Sequence, residues 1–338
     1  MSAQKAARIA FIGAGGHSTT SLYPNIPQIP EFELVAVCDL SEERAAYVAR
    51  QYGAPAWFTD VEKMIAEVQP EGICVCGPGE MHHQVGVQVL RHGIPLFTEK
   101  PPGLSLADAR ELADTAADNG TWGMVAFMKR FAPANVVAKE YMGTEAFGEL
   151  STITVIHTSG PYNDMRQMLF FNGIHMLDLA RFLGGDVVEV FAHGHSGRAQ
   201  AVSATMRFAN GGVGQLNMNS AFPSWADCFE QTYISGSGAA ILIDASRATE
   251  VMSPGGRFAE GGGLELYGWS NRYYVSGNMA GWTSGGHYTR GYWGELNQFA
   301  KAVLGQVEPG PTLREGVETV ALIEAILESI GSGAPVAL

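Results

Sequence analysis

The stretch Ile9-Ala-Phe-Ile-Gly-Ala-Gly-Gly-His-Ser18 decides the fold, because an apolar run that breaks into closely spaced glycines is typical of a buried strand followed by a nucleotide-binding turn. We expect Gly13 to form the tight turn and Gly15 to let backbone amides approach a pyrophosphate. The N-terminus of the following helix would stabilise that negative charge. An ordinary glycine turn is the alternative. The cofactor-binding candidates in this loop are Gly13, Gly15, Gly16, His17 and Ser18, the last standing where the usual G-x-G-x-x-G pattern has its third glycine.

A second apolar run, Leu34-Val-Ala-Val-Cys-Asp39, ends in a carboxylate roughly 20 residues after the loop, where an acid binds the adenosine ribose in dinucleotide-binding domains. A 2′-phosphate about 4 Å from Asp39 would be repelled by roughly 1 to 4 kcal/mol, depending on the local dielectric. The sequence therefore favours NAD over NADP, although Arg44 follows on the next helix. Alternatively, Asp39 caps the helix that begins near Ser41.

Composition limits the classes of protein that are possible. The chain has 338 residues, a length that is enough for two domains with sizeable cores. Hydrophobic residues make up 46% of it and charged residues 16%, as in globular proteins. A formal net charge of -13 argues against a nucleic-acid partner. We find neither an apolar run long enough to span a bilayer nor room for a signal peptide before the first strand, so we expect a cytoplasmic protein without a membrane partner.

The cysteines and histidines do not suggest a metal site. Cys38, Cys74 and Cys76 lie in apolar runs and are expected to be reduced core residues, as is the fourth cysteine, Cys228. The pair His193 and His195 supplies too few ligands for zinc. We therefore predict no metal.

Strands and helices alternate with short connections up to residue 127, which predicts an α/β fold with a doubly wound parallel sheet. The expected strands are 34–39, 73–76, 95–98 and 122–127, and the expected helices are 41–51, 82–92 and 106–119. After residue 127 the pattern becomes rich in strands. It predicts strands at 150–157, 187–193, 201–208, 213–219, 229–235 and 239–243, and helices at 133–142, 174–183, 292–304 and 314–329. We therefore predict two domains: residues 1–127, which bind the cofactor, and residues 128–338, an α+β domain with a mixed or antiparallel sheet.

Two loops follow strands of the first domain, at the sheet edge where such folds bind ligands. The loop Gly77-Pro-Gly-Glu-Met-His82 offers Gly77, Pro78 and His82 to the cofactor, unless it is an ordinary Gly-Pro turn. In Phe97-Thr-Glu-Lys-Pro-Pro-Gly103, two prolines fix Glu99 and Lys100 at the strand end. A lysine held there can bind a substrate hydroxyl or transfer protons, although most lysines are solvated surface charges.

With these motifs the chain resembles the glucose-fructose oxidoreductase, inositol dehydrogenase and rhizopine catabolism (Gfo/Idh/MocA) family over nearly its whole length. The resemblance rests on Gly13-Ala-Gly-Gly16, Val35-Ala-Val-Cys-Asp39, Gly77-Pro78 with His82, Glu99-Lys-Pro101, Lys129-Arg-Phe131 with Pro133, His175 with Asp178, and the segment from Tyr292 to Phe299. It implies an N-terminal Rossmann domain, a C-terminal domain with a large open-faced mixed sheet that often builds homodimers or homotetramers, and NAD(P)-dependent redox chemistry on sugars or cyclic polyols. It also implies that Lys100 and His175 flank the reacting carbinol as the catalytic residues.

The substrate site departs from the family at one position. Many members carry an aspartate four residues before the histidine, whereas this chain has Phe171 there and Asn172 as the nearest polar residue. An imidazole suits the base because its ordinary pKa of about 6.5 lets it accept a proton near neutrality. A structural role for His175 at the helix start, paired with Asp178, is the alternative. The substrate-binding candidates are Lys100, Arg130, His157, Tyr162, Arg166, Asn172 and His175, with Asn163, Asp164, Trp282, His287, Tyr288 and Tyr292 as further polar or aromatic residues.

Three functions fit these residues. The first is an NAD-dependent oxidoreductase that removes hydride from a secondary hydroxyl of a sugar, sugar derivative or cyclic polyol. The second is an enzyme that retains NAD during glycosidic cleavage or epimerisation without net redox. The third is a sugar-sensing protein on the same scaffold, since fold alone does not fix function.

Overall fold

The computed structural model describes residues 5–223, 229–245, 248–253, 269–274 and 290–338. The chain forms two compact units. The first comprises Met1–Phe131 and Gly291–Val320, and the second comprises Ala132–Arg290 and Ala321–Leu338. The predicted α/β fold class, with a doubly wound parallel sheet followed by a second domain with a large mixed sheet, is confirmed.

The first unit is built on a six-stranded sheet whose paired strands are all parallel. Its strands are β1 (Ala7–Ile12), β2 (Phe32–Cys38), β3 (Trp57–Phe58), β4 (Gly72–Val75), β5 (Leu96–Thr98) and β6 (Gly123–Val125). Their order is β3-β2-β1-β4-β5-β6, which is the order of dinucleotide-binding sheets. The central β1 is almost entirely buried because helices cover both faces of such a sheet.

Four helices connect these strands: α1 (Glu42–Tyr52), α2 (Val61–Val68), α3 (Gly79–Arg91) and α4 (Leu106–Asp118). Strand β3 and helix α2 lie in a segment where the sequence predicted neither. The segment after the glycine loop also differs from the expected helix, since it is a π-helix over Ser18–Leu22 followed by a 3-10 helix over Tyr23–Gln28. Pro24 and Pro27 explain the change, because a proline lacks the amide hydrogen that a continuing α-helix requires.

The second unit contains a nine-stranded sheet. Its strands are β7 (Leu150–Gly160), β8 (Val187–His195), β9 (Ala201–Phe208), β10 (Val213–Pro223), β11 (Phe229–Gly236), β12 (Ala240–Asp244), β13 (Ala248–Ser253), β14 (Trp269–Tyr274) and β15 (Val336–Ala337). Their order is β14-β13-β12-β11-β7-β10-β9-β8-β15. The sheet is mixed because β7 and β10 are parallel while the other pairs are antiparallel. The last three strands in chain order were not predicted.

The remaining helices are α5 (Pro133–Met142), α6 (Met165–Met168), α7 (Ile174–Gly184), α8 (Tyr292–Val303) and α9 (Leu313–Ser332). A second π-helix over Leu169–Gly173 immediately precedes α7. Alternate residues of β7 face the core of the second unit, first as apolar Ile153 and Val155 and then as polar His157 and Ser159. Within the described residues, no helix is both long and apolar enough to cross a bilayer.

Candidate active site

The glycine turn after β1 has the geometry that a cofactor's phosphates require. Gly13 has φ +110°, and a Cβ there would lie 1.9 Å from the carbonyl oxygen of Cys76, so only glycine fits. A Cβ added at Gly15 or Gly16 would meet nothing within 4 Å. The turn is therefore closed against the sheet at Gly13 and open where a pyrophosphate would approach, which fits NAD. Ser18 is buried, and its hydroxyl donates to the Gly15 carbonyl.

Asp39 lies at the end of β2 beside this turn. Its carboxylate accepts hydrogen bonds from the amides of Ala14 and Ser41, both at 2.8 Å, and from the Arg44 guanidinium at 2.7 Å. Burial acts to raise the pKa of Asp39, but these hydrogen bonds outweigh it and lower the pKa. The hydroxyl of Ser41 caps α1 by accepting from the amide of Arg44, so Asp39 is not the capping residue. It holds the glycine turn and remains a charged candidate for the ribose.

His82 connects the two loops that follow β4 and β5. It is buried, its Nε2 accepts from the amide of Gly77 at 3.1 Å, and its Nδ1 donates to the carbonyl of Pro101 at 2.9 Å. Burial lowers the pKa of His82, which keeps the ring neutral as these two bonds require. The predicted cofactor residue is thus placed as a link between the Gly77-Pro78 turn and the loop that carries Lys100.

Glu99 brings the glycine loop and the lysine loop together. The buried carboxylate contacts Nε2 of His17 at 3.1 Å and accepts the amide of Lys100 at 3.0 Å. Burial acts to raise the pKa of Glu99, but the contact with His17 and the charge of Lys100 lower it. Lys100 follows directly and is partly buried, and this burial lowers the pKa of its ammonium group although the carboxylate of Glu99 opposes the shift.

Glu295 is a residue of this site that the sequence analysis did not select. It lies in the first turn of α8, is fully buried, and neither carboxyl oxygen has a hydrogen-bond partner among the described residues. Burial and the Glu99 carboxylate raise its pKa well above the usual value, while Lys100 opposes the shift. One sequence signal could have indicated Glu295. It is a single acidic residue among the core positions Tyr292, Leu296 and Phe299 of an amphipathic helix.

The Glu295→Gln variant is expected to become more stable relative to the wild type as the pH rises above about 4.5. Because the folded protein keeps a carboxyl proton that the unfolded chain releases above about pH 4.5, the wild type loses up to about 1.4 kcal/mol of unfolding free energy per pH unit there. Glutamine cannot titrate. Denaturant unfolding of both proteins between about pH 5 and pH 8 measures the difference. The exposed Glu67→Gln control should parallel the wild type, and a parallel curve for Glu295→Gln would contradict a raised pKa.

In the second unit, His175 occupies the first turn of α7 and is largely buried, with the fully buried Asp178 one turn later. The preceding π-helix presents Phe171 and Asn172. Phe171 is 58% exposed, which is unusual for an aromatic residue, and its ring centroid lies 6.3 Å from that of Tyr162. Single-turn π-helices are frequent at functional sites. This one contains Phe171, the position where the chain departs from the family it resembles, and it immediately precedes the helix of the predicted base His175.

Three predicted substrate residues lie in one hydrogen-bond chain of the second unit. His157, Tyr162 and Asn172 are joined through Ser159, and Glu230 lies beside His157. Ser159 and Glu230 were not among the residues predicted from the sequence. Ser159 could have been found from its position two residues after His157 on the same strand face, whereas Glu230 is brought there by pairing of β7 with β11.

Two predicted substrate residues have structural partners within their own units. Arg130 is mostly buried, forms an ion pair with Glu315 and lies over the ring of Phe127. Arg166 binds both carboxylate oxygens of Glu324, at 2.9 and 2.7 Å. These contacts explain both arginines without a ligand, and substrate binding by either one stays a prediction.

Cys38, Cys74 and Cys76 are free and buried, and within the described residues no three potential ligand side chains cluster as a metal site would require. Cys228, Trp282, His287 and Tyr288 lie outside the described residues.

Family membership follows from sequence comparison. The NAD-binding Rossmann-fold domain of the Gfo/Idh/MocA oxidoreductase family matches residues 7–127, and the C-terminal alpha/beta domain of the same family matches residues 166–338. The chain belongs to the Gfo/Idh/MocA family. Its N-terminal region is therefore an NAD-binding Rossmann domain, and the predicted cofactor NAD is confirmed at that level.

Curated relatives of this Gfo/Idh/MocA protein include dehydrogenases. D-glucoside 3-dehydrogenase of Escherichia coli is 28% identical over 207 residues, which cover 56% of this chain and 57% of the relative. The scyllo-inositol 2-dehydrogenase (NAD(+)) of Bacillus subtilis is 27% identical over 201 residues, again covering 57% of the relative. These two alignments thus span little more than half of each relative. Inositol 2-dehydrogenase of Rubrobacter xylanophilus is 25% identical over 335 residues, covering 97% of this chain and 92% of the relative.

Solved structures share the fold over nearly the whole chain. A dehydrogenase from Chromobacterium violaceum superposes with a TM-score of 0.88 at 22% identity and covers 98% of this chain and 96% of its own. Levoglucosan dehydrogenase in complex with NADH and L-sorbose gives a TM-score of 0.83 at 19% identity and 99% coverage of both chains. At these identities the similarity concerns the fold alone.

Proposed function

We propose that this protein is an NAD-dependent dehydrogenase that oxidises a secondary hydroxyl of a sugar, sugar derivative or cyclic polyol. The observation that carries the proposal is the Lys100 loop. This loop is held at the end of β5 by His82 and by the Glu99–His17 contact, and it is thereby linked to the open glycine turn of an NAD-binding domain. The glucoside and inositol dehydrogenases among the curated relatives support the substrate class and favour net redox chemistry over the non-redox and sensing alternatives.

The residues proposed to bind NAD begin at the glycine turn after β1 and continue at the ends of the neighbouring strands. The amides around Gly13, Gly15 and Gly16 would bind the pyrophosphate, Asp39 the ribose, and Gly77, Pro78 and the Glu99-Lys100 pair the remaining length of the cofactor. His17, Ser18 and His82 support these loops. When bound, NAD accepts the hydride, and the protein supplies orientation.

Lys100 and His175 are the proposed catalytic residues. The lowered pKa of Lys100 lets its side chain hold the reacting oxygen and exchange a proton at a pH nearer neutrality than an exposed lysine would. His175 acts as the general base that takes the hydroxyl proton while the hydrogen on the same carbon leaves as hydride, a contribution of about 10² to 10⁴ in rate. His157, Tyr162 and Asn172 are proposed to bind other hydroxyls. We also retain the prediction of a homodimer or homotetramer.

The test is nicotinamide absorbance during incubation of the purified protein with NAD, and separately with NADP, across sugars, inositols, sugar acids and sugar nucleotides. We expect reduction of NAD with one group of related substrates. Absence of reduction across the panel, with ligand-dependent stabilisation by a sugar, would contradict a dehydrogenase and indicate a sensor. Turnover of a glycoside without net reduction would indicate the non-redox alternative.

Replacing Asp39 by serine is expected to shift the cofactor preference towards NADP by about 10- to 100-fold. The substitution removes a carboxylate that would repel a 2′-phosphate, and it releases the Arg44 guanidinium, now 2.7 Å from Asp39, to bind that phosphate. The ratio of kcat/KM for the two cofactors measures the shift.

The double variant Asp39→Ser with Arg44→Ala separates the two effects. It should retain the loss of repulsion but lack the new ion pair, so most of the gain with NADP should disappear. An unchanged ratio of kcat/KM for NAD and NADP in the single variant would show that Asp39 does not bind the ribose.

A further inference from the structure

The peptide group between Gly13 and Ala14 is held at both of its edges by side chains. The phenol of Tyr23 donates to the carbonyl oxygen of Gly13 at 3.2 Å, and the amide of Ala14 donates to Oδ2 of Asp39 at 2.8 Å. Because a peptide group is planar, its oxygen and its amide hydrogen move together when the plane rotates. The two hydrogen bonds therefore fix the orientation of this plane.

Gly13 does not fix the plane by itself. Its φ of +110° is accessible because glycine has no Cβ, and the same freedom lets the adjoining peptide rotate with little strain. The amide of Gly13 donates to the carbonyl of Cys38 at 2.7 Å, but this bond belongs to the preceding peptide. The orientation of the Gly13–Ala14 peptide therefore depends on Tyr23 and Asp39.

Tyr23 is placed to hold its hydroxyl at this position. It is fully buried at the start of the 3-10 helix Tyr23–Gln28, and its ring packs against those of Phe11 on β1 and Tyr52 on α1, with centroids 4.4 and 5.2 Å away. Burial raises the pKa of the phenol well above its usual value, so the hydroxyl keeps its hydrogen and remains a donor. The packing of the rings keeps that donor at the Gly13 carbonyl.

The backbone amides that follow this peptide lie in the open part of the turn. A Cβ added at Gly15 or Gly16 would meet nothing within 4 Å. The carbonyl of Gly15 accepts hydrogen bonds from the hydroxyls of Ser18 and Thr19, at 3.0 and 2.8 Å. A carbonyl oxygen repels an anion, whereas a backbone amide attracts one. Hydroxyls that hold the carbonyls of this turn thus favour anion binding by its amides.

We propose that Tyr23 is a positioning residue for NAD, which holds the Gly13–Ala14 peptide so that the turn's amides meet the pyrophosphate and Asp39 meets the ribose. The proposal rests on the NAD site of the proposed function and adds a residue to that site. Because Tyr23 is fully buried, it acts through the peptide and not by contact with the cofactor.

Tyr23→Phe keeps the ring and removes only the hydroxyl. The Kd for NADH, from fluorescence titration, should rise about tenfold, because the Gly13 carbonyl loses its donor and the peptide can rotate. The Kd for ADP-ribose, from competition with NADH, should rise by the same factor, since this ligand also carries the pyrophosphate and the adenosine ribose. Tyr52→Phe is the matched control, because it removes a hydroxyl from the ring stacked on Tyr23, and it should bind both ligands like the wild type.

Kinetics distinguish positioning of the cofactor from a general loss of structure. With a sugar that reduces NAD, Tyr23→Phe should raise the KM for NAD about tenfold and leave kcat at saturating NAD unchanged, because the reacting groups do not move. Unchanged Kd values for NADH and ADP-ribose in folded Tyr23→Phe would overturn the proposal. A fall in kcat with an unchanged KM for NAD would also overturn it.

Amide hydrogen exchange without any ligand tests the peptide itself. In the wild type the Ala14 amide should be protected by its bond to Asp39, and in Tyr23→Phe it should exchange about tenfold faster or more. The amide of Cys76, which donates to the carbonyl of Ile12 at 2.9 Å, should keep its rate. An unprotected Ala14 amide in the wild type, or equal acceleration at both amides in the variant, would overturn the role of Tyr23.

The role of Tyr23 and the dehydrogenase function fail separately. If the protein binds NADH but no sugar reduces NAD, the proposed function is overturned, and the Kd values of Tyr23→Phe still decide the role of Tyr23. If the wild type does not bind NADH, the NAD site is overturned and the role of Tyr23 with it.

Discussion

Replacement of His175 by alanine is expected to lower kcat by about 10²- to 10⁴-fold, while the dissociation constant for NAD changes only slightly. The imidazole is proposed to take the proton of the reacting hydroxyl, and it belongs to the second unit, whereas the proposed cofactor residues belong to the first. Steady-state kinetics with the best substrate, together with fluorescence titration of the cofactor, measure the two quantities.

Because His175 is largely buried, alanine could also weaken folding, so His175→Gln provides a second variant that retains polarity but cannot accept the proton. Its kcat should fall nearly as far. His92→Ala removes an exposed imidazole at the end of α3, which contacts Glu62 at 2.9 Å, and should leave kcat unchanged. Turnover near the wild-type value in folded His175→Gln would exclude His175 as the base.

Gly13→Ala is expected to reduce the free energy of unfolding by roughly 3 kcal/mol or more, or to prevent folding. A Cβ at this position would lie 1.9 Å from a backbone carbonyl of Cys76, which cannot rotate away, and φ at +110° is itself unfavourable for alanine. Denaturant unfolding of the protein without cofactor measures the loss.

Gly15→Ala is the matched control within the same turn. Its Cβ meets nothing within 4 Å, so stability should change by less than about 1 kcal/mol. NAD affinity should nevertheless fall about tenfold, since the methyl group would occupy space that the pyrophosphate needs. Equal stabilities for the two variants would show that the turn can relax at Gly13. Unchanged NAD affinity in Gly15→Ala would show that the pyrophosphate does not bind at this loop.

Local sequence patterns were sufficient for five of the first unit's six strands and for most of its helices. Apolar runs with short glycine or proline connections predicted β2, β4, β5 and β6 within a few residues, because each buried strand must supply its own apolar side chains. The two-residue strand β3 and the helix α2 were missed, since β3 exists only through pairing with β2. A π-helix and a 3-10 helix replace the helix expected after the glycine loop, because Pro24 and Pro27 lack the amide hydrogens that a continuing α-helix requires.

In the candidate site, too, local sequence patterns predicted some features and missed others. Spacing from the glycine loop was enough to select Asp39, and stiff prolines beside a strand end were enough to select Lys100. The partners of these residues were not predictable, because Glu99 meets His17 and Asp39 meets Ala14 only after distant segments of the chain have folded together. Arg130 and Arg166 show the converse, since residues chosen for a ligand proved to have carboxylate partners far along the chain.

The sequence by itself determined the parallel sheet and the cofactor class, because each is encoded in a short run of adjacent residues, whereas Lys100 and His175 are proposed as catalytic residues from the resemblance to the family. Only the tertiary structure decided the environment of Glu295 and the order Glu230–His157–Ser159–Tyr162. The physical reason is that the burial of a carboxyl and the partners in a hydrogen-bond chain depend on which strands and helices pack together. In this chain the residues involved are up to 196 positions apart for Glu295 and Glu99 (295 − 99) and 73 apart for Glu230 and His157 (230 − 157).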